Sequence, residues 1–358
     1  MSNRSEPVPV TPDLLRGWGL PDPGASKNSR GRGFVVGGSM VSPGGVVLSG
    51  EAALRVGAGK VGVATTPDVA GVVRTTFIEA GVYEWPAGTK RAPRGWEAEL
   101  DAADAVLVGP GLDDAAHARA RLEAIAAREV RCLVVDAFAV GALPEMDRGR
   151  LPETLIINAN LDEAALLLGR EVDDPMRDAV EIAQTWDAVV HCYSAVAAPS
   201  GQRWRLDVGG AGLGTAGSGD VLAGAIAGFA ARGVTPERAA VFGAWCHGRA
   251  GDRLIRSDGS AVLRVHRLDD MRETGTLAVT YNGIRVPGLN SLDCVGNRIW
   301  ANVFPTDQII EVDAATGVVR AVVYATGLRE AAWHGEAGVL NGIAHLGGPD
   351  GNGQFLVT

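Results

Sequence analysis

Lysine is nearly missing from this chain: Lys27, Lys60 and Lys90 are the only ones in 358 residues. Positive charge after Lys90 must therefore come from arginine. Cationic residues are also outnumbered, 33 Lys and Arg against 42 Asp and Glu, for a formal net charge of −9. That balance excludes a nucleic-acid-binding surface, which needs clustered positive charge against phosphates. Cysteine is sparse too. Cys132, Cys192, Cys246 and Cys294 lie far apart with no Cys-x-x-Cys pair, which excludes a cysteine zinc site and a disulfide framework. No apolar run approaches the ~20 residues that cross a bilayer, and residues 1–10 have no apolar core of the kind a signal peptide carries. No nucleic-acid or membrane partner is expected, and the expected compartment is the reducing cytoplasm.

Glycine, by contrast, is abundant at 49 residues, and it concentrates in residues 210–224, Gly-Ala-Gly-Leu-Gly-Thr-Ala-Gly-Ser-Gly-Asp-Val-Leu-Ala-Gly. Gly212, Gly214, Gly217 and Gly219 lack a Cβ, so backbone N–H groups can turn inward and approach a ligand. Residues 221–231 then read as a small-residue helix closed by Gly233. The first N–H groups of a helix have no internal partner and suit a phosphate, and Asp220 stands at that same terminus. A phosphate cradle beside a carboxylate predicts phosphoryl transfer or activation of an alcohol. Gly212-x-Gly214-x-x-Gly217 also matches a dinucleotide fingerprint, but no strong apolar strand leads into it.

Elsewhere, short apolar runs at 34–39, 59–65, 105–108, 132–136, 154–158 and 188–191 alternate with helical stretches, one of them at 50–56. This alternation predicts βαβ units around a buried parallel sheet, with ligands at the carboxyl ends of its strands. The first ~30 residues read as a polar, proline-rich arm. After about Asp258 the helices stop, and short β-rich runs at 261–266, 276–281, 298–303, 308–312, 318–324 and 353–357 are separated by turn signals such as Asn282-Gly283.

Four segments in order, Gly37-Gly38-Ser39 with residues 53–59, Val108-Gly109-Pro110-Gly111-Leu112, Val135-Asp136-Ala137 and residues 215–222, resemble the ADP/ATP-dependent NAD(P)H-hydrate dehydratases of the ribokinase-like superfamily. The resemblance covers roughly residues 25–256. It implies an α/β fold, a three-layer αβα domain over residues 1–256, and repair of hydrated NADH or NADPH with ADP or ATP as co-substrate and Mg2+ as cofactor. By the same resemblance Gly45, Gly111, Asn160 and Asp220 contact the hydrated nucleotide, while Thr215, Gly217, Ser218 and Gly219 hold the adenine nucleotide. Asp220 is the expected base, and Glu163 is expected to hold magnesium through water. Assembly into a homo-oligomer is left open.

Two places depart from the family. Asn160-Leu161-Asp162-Glu163 stands where a His-Pro-Gly-Glu stretch is usual, and this Asn-x-x-Glu pattern also fits a small-molecule kinase of the same fold. Asn160 has a second reading, as the cap of a helix over 162–168. His191-Cys192-Tyr193-Ser194 replaces a usual Lys-Gly, with Arg203 or Arg205 as candidate substitutes for the charge. His191, Cys192 and His247 are read as ordinary strand-end and helix residues.

Residues 257–358, through Leu289-Asn290-Ser291-Leu292, residues 299–303 and residues 339–344, resemble the β-propeller glutaminyl-peptide cyclotransferases. About two blades of strands are expected, an incomplete all-β, propeller-blade-like segment. It offers a rival function as an aminoacyltransferase or a non-catalytic β-module, and the junction suggests a fusion of two shortened proteins.

Overall fold

The computed structural model describes residues 6–86, 97–209, 213–254, 259–266, 273–295, 297–326, 342–345 and 355–357, and in it the expected N-terminal arm is ordered over residues 8–18. Val8–Pro9 forms an edge strand, β1, and Pro12–Trp18 a helix, α1. Thr11 caps α1 by accepting from the Leu14 N–H at 3.2 Å, and Pro12 occupies the first turn, where a missing N–H costs nothing. Trp18 packs edge-on against Trp204 and Phe242, with ring centroids 6.2 and 5.9 Å away. These aromatic partners, distant in sequence, override the local proline signal.

The chain divides into two units, Met1–Ala250 and Gly251–Thr358. In the first, the strands are β2 (Arg32–Val36), β3 (Lys60–Thr65), β4 (Gly81–Glu84), β5 (Ala105–Val108), β6 (Leu133–Val135), β7 (Leu155–Ala159), β8 (Val189–Cys192), β9 (Ala195–Ala197) and β10 (Arg203–Arg205). With β1 they form one sheet in the order β1-β10-β9-β8-β7-β6-β5-β2-β3-β4. From β8 to β4 every pairing is parallel, whereas β9 runs against both its neighbours. The six apolar runs expected as strands in this unit are β2, β3, β5, β6, β7 and β8.

Alternate strand residues face opposite sides, and both sides are covered. Val35, Val63, Leu107 and Ile156 enter a core closed by α2 (Gly44–Arg55), α3 (Pro67–Thr76), α9 (Ser218–Ala231) and α10 (Pro236–Leu254). Phe34, Val106, Leu133 and Ile157 enter the other, closed by α4 (Glu97–Asp101), α5 (Ala115–Ala126), α6 (Phe138–Ala142), α7 (Leu161–Leu168) and α8 (Pro175–Trp186). The result is the expected three-layer αβα arrangement. Helix α2 begins six residues before the stretch expected from sequence, because Gly44 and Gly45 are helical here instead of forming a turn.

The second unit is antiparallel. Val262–His266 (β11) pairs Glu273–Ala278 (β12), and Thr280–Tyr281 (β13) pairs Ile284–Arg285 (β14) across Asn282 and Gly283, whose φ values of +50° and +79° suit a tight hairpin. Leu289–Val295 (β15), Arg298–Val303 (β16), Gln308–Asp313 (β17) and Val319–Tyr324 (β18) form a four-stranded sheet, and Ile343–His345 (β19) pairs Phe355–Val357 (β20). β15 escapes a reading of the sequence because Asn290, Ser291 and Asp293 interrupt its apolar alternation, and its ladder to β16 is irregular between Leu289 and Leu292. Trp300 packs on Ile309, Ala325 and Ile343 as part of a small core.

Helices α2 and α9 pack backbone to backbone. A Cβ on Gly224 would lie 2.1 Å from the Ser49 carbonyl oxygen, and one on Gly228 would lie 2.7 Å from Ala53 Cα. These glycines let the two backbones touch. Gly224→Ala is expected to destabilise the fold by about 1–3 kcal/mol, since a backbone clash outweighs the ~1 kcal/mol that alanine gains in a helix. Urea unfolding of this variant beside Gly219→Ala, whose Cβ meets nothing within 4 Å, is the check: the first loses stability and the second keeps it.

Candidate active site at the carboxyl edge of the sheet

The glycine-rich segment delivers α9 to the carboxyl edge. Gly217 precedes the helix at φ +82°, a conformation that favours glycine, and no side chain caps the first turn. Among the described residues nothing accepts from the N–H groups of Gly219 or Asp220. Gly219 is exposed with open space where a Cβ would be, so this helix start is uncovered, and such a start can accommodate an anion. Asp220 is half-buried beside it, and burial raises its carboxyl above the usual range, making it a stronger base than a solvated aspartate. Ser49 Oγ lies 2.9 Å from both the Gly45 and the Asp220 carbonyl oxygens, which share its single proton. Thr215 is exposed, while Gly217 and Ser218 are half-buried, on the same turn. Gly212 lies outside the described residues.

A second glycine cluster sits where the strand order reverses. The chain runs from β2 to β3 and β4 on one side, then returns to place β5 on the other side of β2, the crevice where open α/β sheets bind ligands. Gly38 N–H donates to the Pro110 carbonyl at 2.8 Å. A Cβ on Gly45 would lie 2.6 Å from Gly111 N, and Gly111, at φ +68°, would put one 2.3 Å from the Ser42 carbonyl oxygen. Gly45 and Gly111 are thus brought together by backbone contact. A narrow cleft beside them is lined by Gly38, Ser39, Thr65, Thr66, His117 and Arg121, and the buried Thr65 and Thr66 hydroxyls have no partner among the described residues.

At the carboxyl ends of β6, β7 and β8, the polar residues Asp136, Asn158 and His191 form one buried chain. Asn158 Nδ2 donates to Asp136 Oδ1 at 2.7 Å, and Asn158 Oδ1 lies 2.7 Å from His191 Nδ1. Register places Asn158 directly opposite His191. Because the amide oxygen can only accept, His191 carries its proton on Nδ1. Burial, reinforced by nearby His247, pushes the His191 pKa down to about 4, so the ring is neutral. Burial, then the Glu163 and Asp220 charges, hold the Asp136 carboxyl well above the usual carboxylate range, against the Asn158 hydrogen bond. His191 thus stands near the end of β8, as read from the sequence, with Asn158 as its buried partner. Sequence reasoning did not connect Asp136, Asn158 and His191, although a polar residue near the end of each apolar run was a visible signal. Cys192 is inert: burial, with Asp178 and Glu163, pushes its thiol up to about 12.

Asn160 and Glu163 share a reciprocal cap on α7. Asn160 Oδ1 accepts from Glu163 N–H at 2.8 Å, and Glu163 Oε2 accepts from Asn160 N–H at 3.0 Å. The capping reading of Asn160 holds, and its amide NH2 has no partner among the described residues. Burial raises the Glu163 carboxyl. No group of three His, Cys, Asp or Glu side chains among the described residues is arranged to hold a metal ion directly. His247, on α10, places Nε2 2.9 Å from Ser218 Oγ and so reaches the first residue of α9.

Comparison with known proteins places this edge in context. The profile of the family described as NAD(P)H-hydrate dehydratase matches residues 34–272, and that of glutamine cyclotransferase matches residues 241–358. An ADP-dependent (S)-NAD(P)H-hydrate dehydratase of Xanthomonas campestris is 39% identical over 265 residues, covering 70% of this chain and 90% of the relative. The bifunctional NAD(P)H-hydrate repair enzyme Nnr of Moorella thermoacetica is 34% identical over 258 residues, covering 68% of this chain and 49% of the relative. The chain thus spans about half the length of that bifunctional relative. Among solved structures, an ADP/ATP-dependent NAD(P)H-hydrate dehydratase of Bacillus subtilis co-crystallised with ATP and Mg2+ superposes with a TM-score of 0.57 at 23% identity, covering 67% of this chain and 87% of that one. A ribokinase-like superfamily protein of Enterococcus faecalis gives 0.57 at 23% identity, covering 68% and 87%. The fold is ribokinase-like.

The buried histidine sets a pH dependence. Between about 4 and 6.5 the unfolded chain takes up a proton that folded His191 refuses, so its contribution is present above that window and is lost as pH falls through it. The loss amounts to about 3 kcal/mol. Asp136, with its raised carboxyl, works in the opposite sense, favouring the folded state at acid pH. In urea midpoints measured from pH 4 to 7, His191→Gln is expected to flatten the acid limb relative to the parent chain. An acid limb as steep as the parent's would rule out the neutral buried histidine.

Proposed function

The chain belongs to the NAD(P)H-hydrate dehydratase family, and we propose that it restores NADH or NADPH from the (S)-hydrate with ADP or ATP as phosphoryl donor. One observation carries this reading. An open anion cradle at Gly219 adjoins a half-buried carboxylate of raised basicity at Asp220. The nucleotide phosphates occupy the first turn of α9, contacted by Thr215, Gly217, Ser218 and Gly219. The hydrated ring lies towards Gly45, Gly111 and the free amide of Asn160.

Asp220 accepts the proton of the C6 hydroxyl as that oxygen attacks the terminal phosphorus. The N–H groups of Gly219 and Asp220 point where charge grows on the transferring phosphoryl, an interaction typically worth ~10²–10³ in rate per donor. The nucleotide leaves one phosphate shorter, as AMP from ADP or ADP from ATP. Loss of phosphate from C6 and of a proton from C5 then restores the ring double bond. Magnesium fits as a cation brought by the nucleotide phosphates, since it is commonly held by phosphates, water and one or two carboxylates. Asp136, Glu163 and Asp220 would supply the negative field that holds it, Glu163 through water, and the ion would neutralise phosphate charge. The Asn-x-x-Glu pattern that favoured a kinase is accounted for by the α7 cap. Among the described residues no helix is long and apolar enough to cross a membrane, and the buried free thiols of Cys132 and Cys192 suit the reducing cytoplasm we assign.

The test is recovery of NADH absorbance from hydrated NADH with magnesium and either ADP or ATP. Asp220→Asn is expected to lower the rate about 10²–10⁴-fold with nucleotide binding retained. Gly219→Ala, whose Cβ fills the cradle, is expected to weaken nucleotide binding about tenfold. Accumulation of a stable phosphorylated product would replace the dehydratase by a kinase.

A further inference from the structure

The hydrogen bond between His247 Nε2 and Ser218 Oγ, 2.9 Å long, serves no purpose in the reaction as derived, yet it reaches the residue that opens α9. Helix α10 is brought to this place by close backbone packing. A Cβ on Gly248 would lie 2.5 Å from Val208 Cγ2 and 3.1 Å from the Val208 carbonyl carbon, so α10 rests directly on the segment that leads into the glycine loop. The neighbouring Gly209, at φ +85°, would put a Cβ 3.3 Å from Gly248 Cα. His247, adjacent to this contact, has its ring held half-buried against Ser218.

A serine hydroxyl has one proton and two acceptor sites. When a histidine donates to the oxygen, the proton is free to turn elsewhere. The direction open to it here is the uncovered first turn of α9, where a Cβ on Gly219 would meet nothing within 4 Å and the N–H groups of Gly219 and Asp220 are unpaired among the described residues.

We propose that His247 is a positioning residue for the nucleotide: it donates from Nε2 to Ser218 Oγ and turns the Ser218 proton onto the phosphate held at the start of α9. This rests on the reading above that nucleotide phosphates occupy that turn. The helix N–H groups and the Ser218 hydroxyl then form one donor set, with His247 fixing the member whose direction the backbone does not set. The effect belongs to nucleotide binding, not to proton removal by Asp220.

The experiment is calorimetric titration of the full chain with Mg-ADP and Mg-ATP, alongside turnover of hydrated NADH. His247→Phe keeps volume without a donor and is expected to weaken nucleotide binding about tenfold. Its KM for nucleotide rises by the same factor, with kcat changed less than threefold by our expectation of roughly intact chemistry. Ser218→Ala weakens binding to a similar degree, and the double variant is no weaker than Ser218→Ala alone. His247→Gln, whose amide can donate from a similar reach, recovers most of the affinity. Losses that add in the double variant, or a His247→Phe protein that binds as tightly as the parent, overturn the proposal alone. A parent chain that binds neither nucleotide overturns the reading of the loop and this proposal with it, whereas nucleotide binding without dehydratase turnover removes the reaction and leaves the His247–Ser218 coupling to be decided by the titration.

Discussion

One serine hydroxyl holds the two halves of the edge together. Ser49 Oγ lies 2.9 Å from the Gly45 carbonyl in its own helix and 2.9 Å from the Asp220 carbonyl in α9. Gly45 touches the Gly111 backbone at the point where the strand order reverses, and Asp220 lies in the first turn of α9. The hydroxyl can bridge them only because Gly224 and Gly228 let α9 lie against α2 backbone to backbone. A larger residue at either glycine would push the cradle away from the crevice, so packing far from the chemistry sets the distance across it.

Electrostatics at this edge run against folding and in favour of reactivity. Asp136, Glu163 and Asp220 are all partly or fully removed from water, and each carboxyl is raised by that burial. Asp136 also feels the charges of the other two. The amide of Asn158 and the neutral ring of His191 satisfy Asp136 without adding positive charge, so nothing in that chain neutralises Asp220. An arginine in place of His191 would stabilise the carboxylates and lower their basicity.

Much of the fold was legible because a buried parallel sheet demands short, wholly apolar runs, and six such runs stand out in the first unit. The misreadings have physical causes. The proline-rich beginning reads as an arm because the partners that anchor Trp18, at Trp204 and Phe242, lie 186 and 224 residues further along. The start of α2 was misplaced because Gly44 and Gly45 weaken a helix locally, and only the contact with Gly111 explains them. β15 was missed because polar residues break its alternation. Asp220 and Gly219 were readable because a local turn and the helix that follows it create their chemistry. The contacts of His191 and His247 were not, because each meets a residue on another element.

By itself the amino-acid order determined the βαβ alternation, the glycine-built helix start with Asp220 on it, and the capping box of Asn160 and Glu163, since all of these arise within a few residues of chain. Tertiary structure alone decided which strand ends lie side by side, and so which polar residues meet. Asp136, Asn158 and His191 join because β6, β7 and β8 are neighbours in register, and Ser218 meets His247 because Gly248 lets α10 lie on the loop. A hydrogen bond about 3 Å long between residues tens of positions apart depends on backbone packing, which local sequence does not encode.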